Sequence, residues 1–252
     1  MTQHAPQTHA RVEHLEQRTL LSVSLDNAIL IVEGKRREDR IVVSRDPDGG
    51  SLIQIDDNGA ITTYAEGDVA QILVVTGRGD DQIIVDETNG IVTTARQLNG
   101  GWDNDSITGG LDRDEIFGGP DNDVISGRAG NDTIRAESGN DTVDGGAGSD
   151  RIFGDAGNDR IYGARGNDTI GGGDGDDHLD GVHDDDFIDG EDGHDTIVGC
   201  FGNDTLNGGS GDDEVYGNDG ADLLDGDAGT DVLDPGGGAG DRIIDIDVTA
   251  SD

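Results

Sequence analysis

A nine-residue repeat dominates this sequence. Residues 145–153 read Gly-Gly-Ala-Gly-Ser-Asp-Arg-Ile-Phe, and residues 100–234 divide into fifteen such nonapeptides without a gap. With the places numbered one to nine, place six is Asp and place eight is aliphatic in every copy, while place one is Gly in all copies except at Ala136. Place four is Gly in eleven copies and Asp in four, namely Asp103, Asp112, Asp121 and Asp184. A repeat this strict restricts the chain to one structural unit stacked on copies of itself.

Each recurring place predicts a structural role. Gly at places one and four suits a turn whose residues have positive φ, and Asp tolerates that conformation better than most non-Gly residues. Places seven to nine predict a three-residue strand, in which place eight points to one face and its two neighbours point to the other. One inward aliphatic side chain per strand predicts a narrow core between two stacked sheets. The Asp at place six lies where the turn passes into the strand.

The pattern Gly-Gly-x-Gly-x-Asp-x-aliphatic-x resembles the RTX, or hemolysin-type, calcium-binding repeat, strictly over residues 100–234 and loosely over 76–84 and 235–244. The resemblance implies an all-β fold, a right-handed parallel β-roll with two nonapeptides per coil. It also implies calcium ions between the turns of successive coils, held by place-six carboxylates and backbone carbonyls. The candidate metal ligands are the place-six carboxylates and one residue of a slipped repeat: Asp105, Asp114, Asp123, Asp132, Asp141, Asp150, Asp159, Asp168, Asp177, Asp186, Asp195, Asp204, Asp213, Asp222, Asp231 and Asp241.

The net charge sets a condition on folding. The chain has 56 acidic and 16 basic residues, a formal charge of −40, and only 31% hydrophobic residues. Residues 1–75 contain 12 acidic and 7 basic residues, so −35 of this charge falls on residues 76–252. Such a composition alone is typical of disorder, and cations are needed to neutralise the stacked acidic turns. Hard oxygen ligands in a flexible arrangement favour calcium over magnesium, whereas nucleic acid and anionic lipid are excluded as partners by charge.

Two nonapeptides per coil would stack the turns every 18 residues in two columns. The first column runs from Asp105 through every second place-six residue to Asp231, and the second runs from Asp114 to Asp222. Eight turns leave seven gaps and seven turns leave six, so we expect at most 13 calcium ions between strict repeats. Asp105 would end its column unless the preceding segment supplies another turn. Since metal binding then provides free energy of folding, the metal-free chain is expected to be largely disordered beyond Thr76.

Two short segments flank the folded part predicted for this chain. Residues 1–22 form a polar leader that ends in Leu-Glu-Gln-Arg-Thr-Leu-Leu-Ser, which resembles the LEPR-XLL segment of exported planctomycete proteins, with Gln17 in place of Pro. The leader lacks the apolar core of a secretory signal peptide. Residues 100–244 make up the calcium-binding roll, and residues 245–252 form an acidic tail.

The segment before the repeats is predicted to be rich in β structure. Residues 23–75 favour a small cap of antiparallel hairpins, with a tight turn at Asn58-Gly59. Residues 76–99 favour a transition coil, with Asp81 at place six and a strand at 91–94. Almost no helix is expected. The strands of the cap are predicted at 28–33, 40–45, 51–56, 60–64 and 71–76.

The sequence lacks the motifs of a zinc-protease helix, a phosphate-binding loop or a nucleophile elbow. The favoured hypothesis is a non-enzymatic, calcium-dependent structural or interaction module, extracellular or at the bacterial cell surface. One alternative is the secretion and folding module of a larger exported effector, toxin or polysaccharide-modifying enzyme, and a weaker one is an enzyme with its site in residues 23–99. No stretch is long enough to span a membrane. A glycan or protein partner stays open for the outward aromatic residues Phe117, Phe153, Phe187, Tyr162 and Tyr216.

Overall fold

The computed structural model describes residues 22–26, 28–34, 38–45, 52–57, 60–92 and 95–244. Residues 1–21 of the predicted leader and the predicted tail, 245–252, lie outside this part of the chain. Apart from one 3-10 turn at Glu66–Asp68, every regular element in the described part is a strand, which confirms the all-β prediction. The strands that begin before the repeats are β1 (Ser22–Asp26), β2 (Ile29–Glu33), β3 (Arg40–Arg45), β4 (Leu52–Asp57), β5 (Ala60–Ala65), β6 (Gln71–Arg78), β7 (Gln82–Asp86) and β8 (Ala95–Trp102).

The repeats contribute one strand each. In chain order they are β9 (Ser106–Thr108), β10 (Asp114–Pro120), β11 (Val124–Ser126), β12 (Thr133–Ser138), β13 (Thr142–Ala147), β14 (Arg151–Ala156), β15 (Arg160–Arg165), β16 (Thr169–Asp174), β17 (His178–His183), β18 (Phe187–Asp192), β19 (Thr196–Phe201), β20 (Thr205–Ser210), β21 (Glu214–Asp219), β22 (Leu223–Ala228) and β23 (Val232–Asp234). A short strand from the slipped repeat, β24 (Arg242–Ile243), follows them.

Successive repeat strands alternate between two 12-stranded sheets. One sheet has the order β1-β2-β6-β8-β10-β12-β14-β16-β18-β20-β22-β24, and the other has the order β5-β4-β3-β7-β9-β11-β13-β15-β17-β19-β21-β23. Neighbouring repeat strands pair in parallel, for example Ile152 with Ile170 in one sheet and Ile161 with Leu179 in the other. The chain is therefore a parallel β-solenoid, and each coil contains two nonapeptides, as predicted.

The strands are longer than the repeat pattern predicts. Most span six residues, as β14 does, and so cover places seven to nine of one nonapeptide and places one to three of the next. Among the repeats, the expected three-residue strand therefore holds only for β9, β11 and β23. Along β14, Ile152 and Gly154 are both buried, because alternate residues of the longer strand face the core. The glycine at place one lengthens the strand without adding a side chain to the core, and fully buried Ala136 is the exception.

The core is a single ladder of aliphatic side chains between the two sheets. Every place-eight residue from Ile107 to Leu224 is at most 1% exposed, and Leu233 at the last strict repeat is partly buried. The ladder continues without a break into Leu98, Ile83 and Val74 before the repeats. The prediction of one inward aliphatic side chain per strand is confirmed.

Three of the strands expected in antiparallel hairpins, β2, β3 and β6, belong to the solenoid itself. β6 pairs in parallel with β2 and β8, and β3 pairs in parallel with β7. Among the described residues, antiparallel pairing is confined to β1 with β2 and to β3, β4 and β5. Asp57 pairs with Ala60 in the β4–β5 hairpin, whereas the tight turn predicted at Asn58-Gly59 lies outside the described residues.

The expected strand at 91–94 is wrong at the positions that the structure describes. Ile91 and Val92 are not in a strand, and the strand of this coil begins at Ala95. Val92 is instead held in the turn, where its N–H donates to Oε1 of Glu87 at 2.7 Å. Among the described residues, no helix has the length and apolar character needed to cross a membrane.

Candidate metal centre

Close packing, rather than backbone conformation, requires the glycines at place one. No place-one glycine of the strict repeats has positive φ, so that part of the prediction is wrong. Positive φ occurs at places two and four, as at Gly146 (100°) and Gly148 (140°). A Cβ built on Gly145 would lie 2.8 Å from Oδ2 of Asp150 and 3.0 Å from the carbonyl oxygen of Gly163, one coil further on. A methyl group at place one would therefore occupy the space between a carboxylate and a carbonyl.

Non-glycine residues also adopt positive φ in these turns. Asp at place four does so at Asp103 (78°), Asp121 (80°) and Asp184 (74°), as predicted for a residue that replaces Gly there. Place two was not predicted to need this conformation. It is nevertheless imposed on β-branched Val182, whose φ is 74°.

The place-six carboxylates are buried and hydrogen-bonded in a regular way. From Asp105 to Asp222 each is at most 3% exposed. Oδ1 of each accepts a hydrogen bond from the backbone N–H of the place-six residue 18 positions earlier, at 2.7–3.0 Å from Asp123 to Asp231. The two columns expected from the 18-residue spacing are therefore present. Each carboxylate connects its own turn to the turn before it.

The second carboxylate oxygen has no hydrogen-bond partner in thirteen of the fifteen strict repeats. This oxygen points toward the place-one glycine of its own turn. For Asp132, a Cβ on Gly127 would lie 2.6 Å from Oδ2 and 2.6 Å from the carbonyl oxygen of Gly145 in the next coil. Because a buried carboxylate oxygen without a partner is costly, the arrangement fits a cation between Oδ2 and the facing carbonyl.

Burial strongly disfavours the charged form of these carboxylates. It raises the pKa of Asp105, Asp132 and Asp186 to about 8, and the neighbouring place-six carboxylates raise it further, while backbone N–H groups partly oppose the shift. Burial likewise raises the pKa of Asp159 and Asp204 to about 6, with a further increase from Asp155 at Asp159 and from Asp222 at Asp204. A divalent cation at Oδ2 would reverse this preference, because it favours the ionised carboxylate.

A second polar ladder runs along place five, in the opposite direction. The backbone N–H of Asn140 donates to Oδ1 of Asn122 at 2.6 Å, and that of Asn158 donates to Oδ1 of Asn140 at 2.8 Å. Here the side chain reaches forward to the following coil, whereas the place-six side chain reaches back. The frequent Asn and Asp at place five are the sequence signal for this ladder, which the repeat consensus does not include.

The first column extends beyond the strict repeats. The N–H of Asp81 donates to Oδ1 of Asp105 at 2.8 Å, and the N–H of Asp39 donates to Oδ1 of Asp81 at 2.6 Å. Asp105 therefore does not end its column. Asp39 was not predicted, although it follows Gly34 by five residues and precedes Ile41 by two, which is the spacing of places one, six and eight.

The C-terminal end is less enclosed. Asp231 and Asp241 are both only half-buried. Oδ1 of Asp241 still accepts a hydrogen bond from the N–H of Asp222, at 3.3 Å and over 19 residues rather than 18. The extra residue of the slipped repeat therefore loosens the last turn of the second column without breaking it.

No three acidic, imidazole or thiolate side chains converge on one point in the described part of the chain. The oxygen atoms offered to a cation are instead the place-six carboxylate of one turn and the facing main-chain carbonyl of the next coil. Carboxylate and carbonyl oxygens are the ligands that calcium takes in flexible geometry, and magnesium binds such sets less readily because it retains its waters. The donor set therefore fits calcium.

A family model for the RTX calcium-binding nonapeptide repeat matches the chain four times, at residues 99–134, 135–170, 171–206 and 201–233. These matches cover more than half of the 252 residues and coincide with the nonapeptides. No curated protein shows a significant sequence match to the chain. This family binds calcium through its repeats, which agrees with the buried columns of carboxylates. The chain belongs to the RTX calcium-binding nonapeptide repeat family.

Proposed function

We propose that this protein is a calcium-dependent structural or interaction module without catalytic activity of its own. Calcium ions bind between successive turns and hold the solenoid closed. The place-six carboxylates supply Oδ2, and the place-one carbonyls of the next coil face it. The observation that carries the proposal is the unpartnered Oδ2 in thirteen strict repeats, each buried beside a glycine whose Cβ would fill the gap.

The energetics explain why calcium acts as a folding switch. Each nonapeptide buries one aliphatic side chain and one carboxylate, so the apolar core is thin and the charge within it is high. An ionised carboxylate in such a site is unfavourable unless a cation pairs with it. Bound calcium removes that cost, and its binding free energy adds directly to the free energy of folding.

The calcium concentration that such a switch needs favours an extracellular site of action. Extracellular calcium modules bind at about 10⁻⁴–10⁻³ M. At lower concentrations most of the repeats stay an extended, acidic chain, and they close once the protein meets external calcium. The place of action in this proposal is therefore the cell surface or the medium.

Calcium titration of the full chain tests the proposal. In calcium-free buffer the far-UV circular dichroism should indicate a low content of β structure, which rises when millimolar calcium is added and not when magnesium is added. Asp150→Asn should lower the number of bound ions in native mass spectrometry, whereas Asp219→Asn, at an exposed carboxylate, serves as the matched control. An identical β-rich spectrum with and without calcium would contradict the proposal.

A further inference from the structure

The second carboxylate column is preceded by a positively charged side chain, that of Arg96. Arg96 on β8 pairs in register with Asp114 on β10, 18 residues later. Leu98 pairs in the same way with Ile116, the place-eight residue of that repeat. Arg96 therefore occupies the place-six position of the preceding coil, where the pattern would put an aspartate.

The guanidinium of Arg96 is fully buried and donates hydrogen bonds to the kinds of oxygen atom that coordinate calcium. Its Nε donates to Oδ1 of Asp114 at 2.5 Å, and Nη2 lies 3.4 Å from Oδ2 of the same residue. Nη2 also donates to the carbonyl of Asp112 at 2.9 Å. Nη1 donates to Oε1 of Glu87 at 3.3 Å and to the carbonyl of Val92. Two carboxylates and two main-chain carbonyls thus surround one positive charge.

Asp114 differs from the other buried place-six residues in one respect. In thirteen strict repeats Oδ2 has no hydrogen-bond partner, whereas Oδ2 of Asp114 accepts from the N–H of Gly110 at 2.7 Å and faces Arg96. The turn is built around the guanidinium, because a Cβ on Gly110 would lie 2.6 Å from Nη2 of Arg96. The side chains of Arg96 and Asp114 are both 0% exposed.

We propose that Arg96 takes the place of a calcium ion at the N-terminal end of the second column. The inference rests on the proposed calcium binding between turns, and it identifies the one turn of that column that closes without metal. Calcium sites in the second column then begin at Asp132. The coils formed by β6 to β10 fold in calcium-free solution and provide the surface on which the calcium-dependent coils assemble.

The two columns differ in the charge of the residue at their N-terminal end. In the first column the residues before Asp105 are Asp81 and Asp39, both carboxylates. Asp81 has an unpartnered Oδ2, as the strict repeats do. Only the second column therefore begins with an internal positive charge in the described part of the chain.

Amide hydrogen exchange of the full chain in calcium-free buffer tests the inference. Peptides that cover residues 95–120 should be protected in the wild type. Arg96→Gln should speed their exchange on the order of 100-fold, because it leaves two buried carboxylates without a neutralising positive charge. Arg151→Gln, at an exposed place-seven arginine, is the matched control and should leave the exchange unchanged. Unprotected 95–120 peptides in the calcium-free wild type would overturn the inference.

Ion counting by native mass spectrometry in calcium gives an independent result. Asp114→Asn should bind as many ions as the wild type, whereas Asp132→Asn should bind fewer. Arg96→Gln should bind about one more, since Asp114 is then free for metal. If Asp114→Asn loses as many ions as Asp132→Asn, Arg96 does not replace calcium. If the wild type binds no calcium, the proposed function fails, and the exchange experiment alone decides the role of Arg96.

Discussion

The backbone N–H of Asp159 donates to Oδ1 of Asp177 at 2.7 Å, and Oδ1 of Asp159 accepts from the N–H of Asp141 at 2.8 Å. One residue thus joins three successive coils of the first column. Its Oδ2 has no partner and stands at the gap toward the following coil. A change at this residue consequently acts on two interfaces between coils.

Asp159→Asn is expected to remove about two calcium ions and to divide the unfolding of the solenoid into two transitions, because repeat stability is close to a sum of nearest-neighbour terms. Asp231→Asn, at the last described turn of the column, should remove about one and affect only the end. Native mass spectrometry and thermal unfolding in calcium measure both effects. Equal ion losses from the two variants would contradict the column arrangement.

The metal-free fold is expected to gain stability as the pH falls. Burial raises the pKa of Asp105 to about 8 and of Asp123, Asp141 and Asp168 to about 7, from a usual value of 3.8. The metal-free fold binds more protons than the unfolded chain, so this part of its stability is fully present below about pH 4 and is lost as the pH rises through 6–8. Far-UV circular dichroism of the metal-free protein should therefore show more β structure at pH 4.5 than at pH 8. Equal β structure at the two pH values would contradict the raised pKa of these carboxylates.

The place-one glycines are expected to tolerate little change. Gly145→Ala would put a methyl group 2.9 Å from Cδ1 of Ile152 and 2.8 Å from Oδ2 of Asp150, so it should lower the free energy of unfolding in calcium by about 1–3 kcal/mol. Gly67→Ala, where no atom lies within 4 Å of the added methyl, should change it by less than about 0.5 kcal/mol. Chemical denaturation of both variants in calcium measures the difference. Equal stabilities would show that place one has room for a side chain.

Val182 is expected to be strained, so that a suitable substitution there should stabilise the protein. It has φ of 74°, and two coils further in the same column place two is Asn218, with φ of 68°. Asn tolerates this conformation and a β-branched residue does not, so Val182→Asn should raise the free energy of unfolding by about 0.5–1 kcal/mol. Val198→Asn, on a neighbouring strand at a position without positive φ, should lower it. Denaturant unfolding in calcium compares the two, and a loss of stability in Val182→Asn would argue that packing of the valine outweighs its strain.

Local rules explain why much of the architecture could be predicted. Place eight repeats every nine residues, so each strand from Ile107 to Leu224 delivers one aliphatic side chain to the core whatever its neighbours are. The resemblance to the RTX repeat implies two nonapeptides per coil, and with that the place-six aspartates predict both columns. The β4–β5 pairing was predictable from local sequence too, since the register of a tight hairpin depends on its short connection.

The pairing of strands that are distant in the chain determined the features that the sequence pattern did not predict. β2 and β3 resemble hairpin strands in their residues, yet they lie in different sheets and pair in parallel with β6 and β7. The place-one glycines likewise have their role only in the stack, where a carbonyl from the next coil occupies the space beside them.

The sequence by itself determined the repeat, the thin aliphatic core and the need for a cation, because each follows from the residues of a single nonapeptide, and its resemblance to the RTX repeat implied the two columns of carboxylates. The tertiary structure decided which carboxylate oxygens lack a partner and where the column begins with an internal charge. Arg96 has no distinguishing neighbours in the sequence. Its role appears only when β8 is placed beside β10 and the guanidinium meets Asp114 across 18 residues.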